Sequence, residues 1–199
     1  MDINRSDSLL QNDAVVAFIV AATRYCALVE PLSTPEWTEE TMRDCRVILA
    51  DLYSAALHLP ELQSSVNYTS GYPERVVTEE SYTSVRRRLE RFFGIEDRFL
   101  DAQQESQRYS DLPVSVSVSE LMADIYQAVA DPIWDIRQNG TSTLAGTLAS
   151  LEYTFEYEWG KSILLVLKHL HDLAVNPGFE PATGSSADED EEKPEGSYL

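Results

Sequence analysis

Six side chains of this 199-residue chain form its most chemically capable constellation: Asp124, Tyr126 and Gln127 in one stretch, and Glu156, Trp159 and His171 in another. Together they could bind a small polar ligand. Equally, they could form a buried polar network that fixes helix register, which is the simpler reading. If their two helices are antiparallel neighbours, Asp124 faces the C-terminal half of the last helix, near His171. An Asp–His contact there would orient the imidazole ring.

A metal centre has little support. Glu152 and Glu156, four apart, could share a helix face. His169 and His171 are two apart, about 200° around a helix, and cannot share one ion. Three residues before His58, His169 and His171 stand Ala55, Val166 and Lys168, so the Glu-x-x-His motif of di-iron bundles is missing. His-Glu-x-x-His is missing too. For covalent catalysis there is no Gly-x-Ser-x-Gly elbow, and no cysteine in a polar setting. Neither a P-loop nor a Gly-x-Gly-x-x-Gly offers a phosphate cradle. No catalytic residue, metal ligand or cofactor is assigned. Catalysis is left open, with the balance against it.

Charge narrows the partners. With 15 Lys+Arg against 34 Asp+Glu, the formal net charge is −19 and the sequence pI is near 4.3. Binding to nucleic acid depends on basic side chains that release counterions, and this field repels polyanions and anionic lipid alike. A basic protein partner fits. The longest strongly apolar run, Ala14–Ala22, falls short of the ~20 residues that span a bilayer. Asp2, Asp7 and Asp13 stand where a signal peptide would be basic. Cytoplasmic residence is the expectation. Cys26 and Cys45, too few for a disulfide scaffold, read as small buried hydrophobes.

The elements that position these residues are helical. Leu9–Val29 forms helix one, with Val15, Phe18, Ile19, Ala22, Tyr25, Cys26 and Val29 on one face. Ser33-Thr34-Pro35-Glu36 starts helix two, which buries Cys45, Ile48, Leu49, Leu52, Ala56 and Leu59. Residues 60–78 form a long loop broken by Asn67, Gly71 and Pro73. Thr78 caps helix three, Glu79–Phe93, whose Arg86, Arg87, Arg88 and Arg91 form the chain's basic run and whose Gly94 fits the C-terminal cap. Residues 95–116 read as irregular, apart from a turn at Ile95–Ala102 and strand-like alternation at Val114–Val118. Ser117 and Glu120 form a capping box for helix four. Pro132 predicts a kink or break in it.

Helix five starts at Thr141 or Ser142 and stops at Asn176-Pro177-Gly178. Leu144, Leu148, Leu151, Phe155, Trp159, Ile163, Val166, Leu170 and Leu173 repeat at threes and fours. Some 33 residues would span about 50 Å. A second stripe, Tyr153, Tyr157, Gly160, Leu164, Leu167 and His171, predicts a central helix packed on more than one side, its aromatics in the core. From Glu180 onward seven acids accompany one lysine, the composition of a disordered acidic tail.

Several of these stretches resemble a known family. Asp97 with Leu100-Asp101, Tyr109-Ser110-Asp111, Ser119-Glu-Leu-Met-Ala-Asp-Ile-Tyr-Gln127, Phe155-Glu-Tyr-Glu-Trp-Gly160 and Leu167-Lys-His-Leu-His171 are similar to the bacterial domain-of-unknown-function family 5063. The resemblance covers about residues 10–176. It implies a small helical, cytoplasmic protein, and it implies no reaction.

The expected fold is therefore all-α: a single five-helix bundle over residues 9–178, with a flexible N-terminus at 1–8, a long central C-terminal helix and a disordered tail at 179–199. The leading expectation for function is a non-enzymatic interaction or adaptor module. The alternatives are a small-ligand or metal-binding domain with a polar pocket between helices four and five, and an acidic inhibitor that mimics nucleic acid. A closed pocket uniting the six residues would favour the first alternative.

Overall fold

The computed structural model describes residues 8–30, 38–62, 75–101, 114–176 and Gly178. The proposed start of helix two at 33–36, the loop breakers Asn67, Gly71 and Pro73, Tyr109–Asp111 and the acidic tail lie outside them. Among the described residues are six α-helices and one two-stranded sheet. The chain is mostly helical, as its periodicity predicts.

Residues 8–10 are already helical, but a turn at Gln11 separates them from helix α1, Asp13–Val29. Asn12 caps it, its Oδ1 accepting from the amides of Ala14 (2.9 Å) and Val15 (3.3 Å). Helix α2 spans Glu39–Leu57; the Thr38 hydroxyl accepts the Thr41 amide at 3.2 Å. Helix α3 spans Glu79–Phe93 behind Thr78 and stops at Gly94, whose φ of 56° favours glycine. The faces read from the sequence for α1 and α2 are buried, with Ile19 packed at the core's edge.

The stretch after α3 is more ordered than the sequence suggests. A 3₁₀ turn, Gly94–Asp97, leads into strand β1, Arg98–Asp101, which pairs antiparallel with β2, Val114–Ser117. Asp97 is the reason this hairpin stays with the bundle. Its Oδ1 accepts the Ser119 amide and its Oδ2 accepts the Ser117 hydroxyl, both at 2.8 Å, while Ser117 Oγ takes the Glu120 amide at 3.2 Å. The Ser117 half of the capping box thus forms, and Asp97 satisfies a further amide of the first turn. From the other side the His169 ring stacks on Phe99, centroids 4.7 Å apart, with its Nε2 2.8 Å from the Glu96 carbonyl.

Helix α4 spans Val118–Asn139 with Pro132 inside it, so of the kink or break expected there the break does not occur. The missing proline N–H costs one ladder bond. Burial of Val129, Ile133 and Ile136 around it keeps the helix in place. Helix five begins at Leu144 rather than Thr141, after a 3₁₀ turn at Gly140–Ser142. It then runs as α5 (Leu144–Thr154), a π-helical turn (Phe155–Trp159) and α6 (Gly160–Val175). The Gly160 amide donates to the Phe155 carbonyl. A Cβ on Gly160 would lie 2.5 Å from that oxygen and 3.0 Å from the Phe155 ring, so the tight turn requires glycine.

Helix α6 does pack on two neighbours, α2 and α4, through Ile163, Val166, Leu170 and Leu173. The second stripe supplies only part of this contact: Gly160 is buried and Leu167 packs at the core's edge, whereas Tyr153, Tyr157, Leu164 and His171 are exposed, the two tyrosine rings meeting at 4.9 Å with a 43° tilt. Long-range polar bonds lock the bundle: Tyr25 Oη donates to the Met122 carbonyl at 2.8 Å, and Leu62 N to Glu152 at 3.0 Å.

Candidate functional site: an open cleft between two helices

Helices α4 and α5 form an antiparallel hairpin. Next to its turn, Asp135 Oδ2 accepts the Thr147 hydroxyl at 2.6 Å and its Oδ1 accepts the Asn139 side-chain Nδ2–H at 2.8 Å. Toward its N-terminus α4 contributes Pro132, Asp131, Gln127 and Asp124, and the run from α5 through the π turn into α6 contributes Ser150, Leu151, Glu158, Trp159 and Ser162. These residues, with Arg75, Ala128 and Thr154, line an open cleft of about 400 Å³.

Each wall has a local cause. The π turn holds Trp159 at 2 % exposure, between Phe155 (centroids 4.7 Å) and Phe18 (6.3 Å). Its Nε1 donates to the Thr154 hydroxyl at 3.0 Å. π turns recur at functional sites because the extra residue re-aims the side chains around it. Opposite, Pro132 has no N–H to offer the Ala128 carbonyl, and both residues border the cleft. Asp131 Oδ1 accepts the amides of Val76 (2.9 Å) and Val77 (2.8 Å), which brings Arg75 to that end. Asp124 Oδ1 accepts the Tyr82 hydroxyl at 2.7 Å. Burial, followed by the Asp124 bond and charge, pushes the Tyr82 phenol well up, so it stays a donor.

Of the six residues singled out from the sequence, the cleft brings together Asp124, Gln127 and Trp159. Tyr126 turns to the other side of α4, where its hydroxyl donates to Glu30 Oε1 at 3.1 Å. Burial and then the Glu30 carboxylate push that phenol up as well. Glu156 is exposed on the π turn and does not line the cleft. His171 is exposed, and the pairing with Asp124 does not form. Asp124 shares the cleft with Glu158 and Ser162, and Ser162 lies more than two turns before His171. The buried histidine is His169. The aromatic stripe is also corrected here: Trp159 belongs to the core and to the cleft wall, while Tyr153 and Tyr157 face outward.

Sequence reasoning missed Arg75, Asp131, Glu158 and the hydroxyls. A signal for several of them was present. Ser150, Thr154, Glu158 and Ser162 recur at every fourth position, a polar stripe beside the apolar one. Among the described residues no three His, Cys, Asp or Glu side chains come together to hold a metal ion. A second cleft, about 540 Å³, lies between the first turn of α2 and the last of α6 and contains none of the six residues.

An antiparallel helical bundle with a pinned β-hairpin and an open polar cleft defines a class of small, mostly helical domains. The chain belongs to the family described as Domain of unknown function (DUF5063), whose model matches residues 10–176. Among solved structures it is similar to protein BF1032 from Bacteroides fragilis, with 26 % identity and a TM-score of 0.71 over 85 % of this chain and 97 % of that one. A comparison with curated proteins gives no match.

Proposed function

We propose that this protein is a non-enzymatic interaction module whose cleft between α4 and the π turn receives a basic segment of a partner protein. One observation carries the reading: the cleft is open and lined by three carboxylates, Asp124, Asp131 and Glu158, against the single cation Arg75. The formal charge of −19 would steer a basic partner toward it. An enclosed small-ligand pocket is less well supported, because Tyr126, Glu156 and His171 lie outside the cleft. The reading places the protein in the cytoplasm. Cys26 and Cys45 are buried free thiols, compatible with a reducing compartment. None of the described helices is long and apolar enough to cross a membrane.

Native mass spectrometry of gently purified protein tests the reading. A basic partner should stay with the wild type and be lost from Glu158→Lys, a reversal at an exposed position that leaves the circular dichroism spectrum unchanged. Retention of the partner by Glu158→Lys would place the interface elsewhere. A bound metal or small molecule in place of a protein would overturn the adaptor reading.

A further inference from the structure

We propose that Asn139-Gly140, at the turn between α4 and α5, is a self-modifying site: the Gly140 nitrogen can displace the Asn139 side-chain amide, and Asp135 and Ser142 hold that reaction back. The site is independent of what the cleft receives.

Asn139-Gly140 is the chain's one Asn-Gly pair. An asparagine side-chain carbonyl carbon stands one five-membered ring away from the next backbone nitrogen. When hydroxide removes the Gly140 amide proton, the nitrogen attacks Asn139 Cγ. The Cγ–Nδ2 bond breaks, Nδ2 takes a proton from water and leaves as ammonia, and a cyclic imide remains. Water then opens the imide at either carbonyl and leaves aspartate or isoaspartate at position 139. Glycine exposes the nitrogen because no side chain shields it, and here the fold demands glycine. Gly140 ends α4 with φ 58°, and a Cβ built on it would meet nothing within 4 Å. The attacking group is thus open to water on that side.

Each reacting group is nevertheless tied down. Asn139 Nδ2 donates to Asp135 Oδ1 at 2.8 Å, and the Thr147 hydroxyl fixes the other Asp135 oxygen at 2.6 Å. A side-chain amide that donates to a carboxylate has a less electrophilic carbon, and the adjacent negative charge disfavours the anionic attack. The Gly140 N–H is committed to the Ile136 carbonyl. The Asn139 carbonyl accepts the Ser142 hydroxyl at 2.7 Å. With Asn139 ψ at −10°, the Gly140 nitrogen lies about a third of a turn out of the plane in which the ring closes, because Cβ is offset from the backbone nitrogen by about that angle at a tetrahedral carbon. Closing the ring breaks all three contacts. The product then undoes the latch. A carboxylate at 139 has no N–H for Asp135 and sets a like charge four residues from it, and isoaspartate lengthens the backbone at the turn.

The test incubates the full chain at neutral pH and follows conversion at 139 by peptide mass mapping, with isoaspartate resolved chromatographically. The folded wild type is expected to react at least about tenfold more slowly than a synthetic peptide of residues 136–142, and Asp135→Ala about tenfold faster than wild type, the loss of one charge-assisted bond. Ser142→Ala, at an exposed position, should also react faster, with its circular dichroism spectrum unchanged. Gly160→Ala, which loosens the fold elsewhere, should react at the wild-type rate. Asn139→Asp should lower the melting temperature and raise amide exchange around the α4–α5 turn. A folded chain that reacts as fast as the peptide would overturn the inference. So would Asp135→Ala and Ser142→Ala both reacting at the wild-type rate, or Gly160→Ala reacting as fast as Asp135→Ala, since protection would then be owed to global stability rather than to this latch.

Discussion

At the residue scale, single atoms decide local structure. Gly160 closes the π turn, and its would-be Cβ meets the backbone oxygen of Phe155 at 2.5 Å, an atom that cannot swing away. Gly160→Ala is expected to destabilise the protein by about 1–3 kcal/mol, read by chemical denaturation. Asp135 shows how a buried carboxylate is kept charged. Burial alone would raise its carboxyl, but hydrogen bonds from Thr147 and Asn139 outweigh that and hold it below the ordinary value. A carboxyl depressed in the folded state contributes stability above its unfolded pKa of about 3.9, and loses it as pH falls through the folded value. Asp135→Asn should therefore be less stable than wild type at pH 7, with the gap closing below about pH 4; a gap unchanged by pH would refute the assignment. At this scale the sequence was legible in part. Asp124, Gln127 and Trp159 were readable as cleft residues. The Asp124–His171 pairing failed because it depends on the axial offset between two helices, which periodicity along one helix does not encode.

Elements were easier to read than pairings, and the exceptions are physical. The core faces of α1 and α2 follow from three-and-four spacing. The hairpin was visible only in its second strand, Val114–Ser117. The first, Arg98–Asp101, has no clean alternation and owes its position to Asp97 and to His169 stacked on Phe99. The π turn left a fainter trace. Leu151, Phe155, Trp159 and Ile163 are spaced by fours without a three, a run that would drift around an ideal helix by about 40° per step. The wider turn absorbs part of that drift and lets Leu151, Trp159 and Ile163 all stay buried. If Asp97 is the pin that joins hairpin to helix, Asp97→Ala should raise amide exchange rates across 98–101 and 114–119 by about tenfold or more while the α1–α2 pair stays protected, since a lost buried acceptor costs roughly 1–3 kcal/mol. Uniform acceleration over the whole chain would show instead that the hairpin opens only with global unfolding.

For the whole molecule, charge dominates. A net −19 on 199 residues opposes the compact state by self-repulsion, and the described ion pairs are mostly exposed and contribute little: Arg24–Asp51 and Lys168–Asp172 are examples. Added salt should therefore raise the melting temperature between about 0.02 and 0.5 M NaCl, over which the screening length falls from roughly 20 to 4 Å; a falling temperature would mean that specific ion pairs outweigh the repulsion. The same screening should weaken a basic partner. The helical architecture was legible because it depends on the sum of many apolar positions. The cleft was not, because it forms where two helices, a proline and a π turn meet. The indole of Trp159 gives this junction an optical signature. It is enclosed by Phe155 and Phe18 and hydrogen-bonded to Thr154 on the cleft wall. With Trp37 and Trp134 replaced by Phe, the remaining emission should be blue-shifted, and should change in wavelength and lifetime when the cleft fills. The chain thus carries its own fluorophore for occupancy, and can be interrogated without a label.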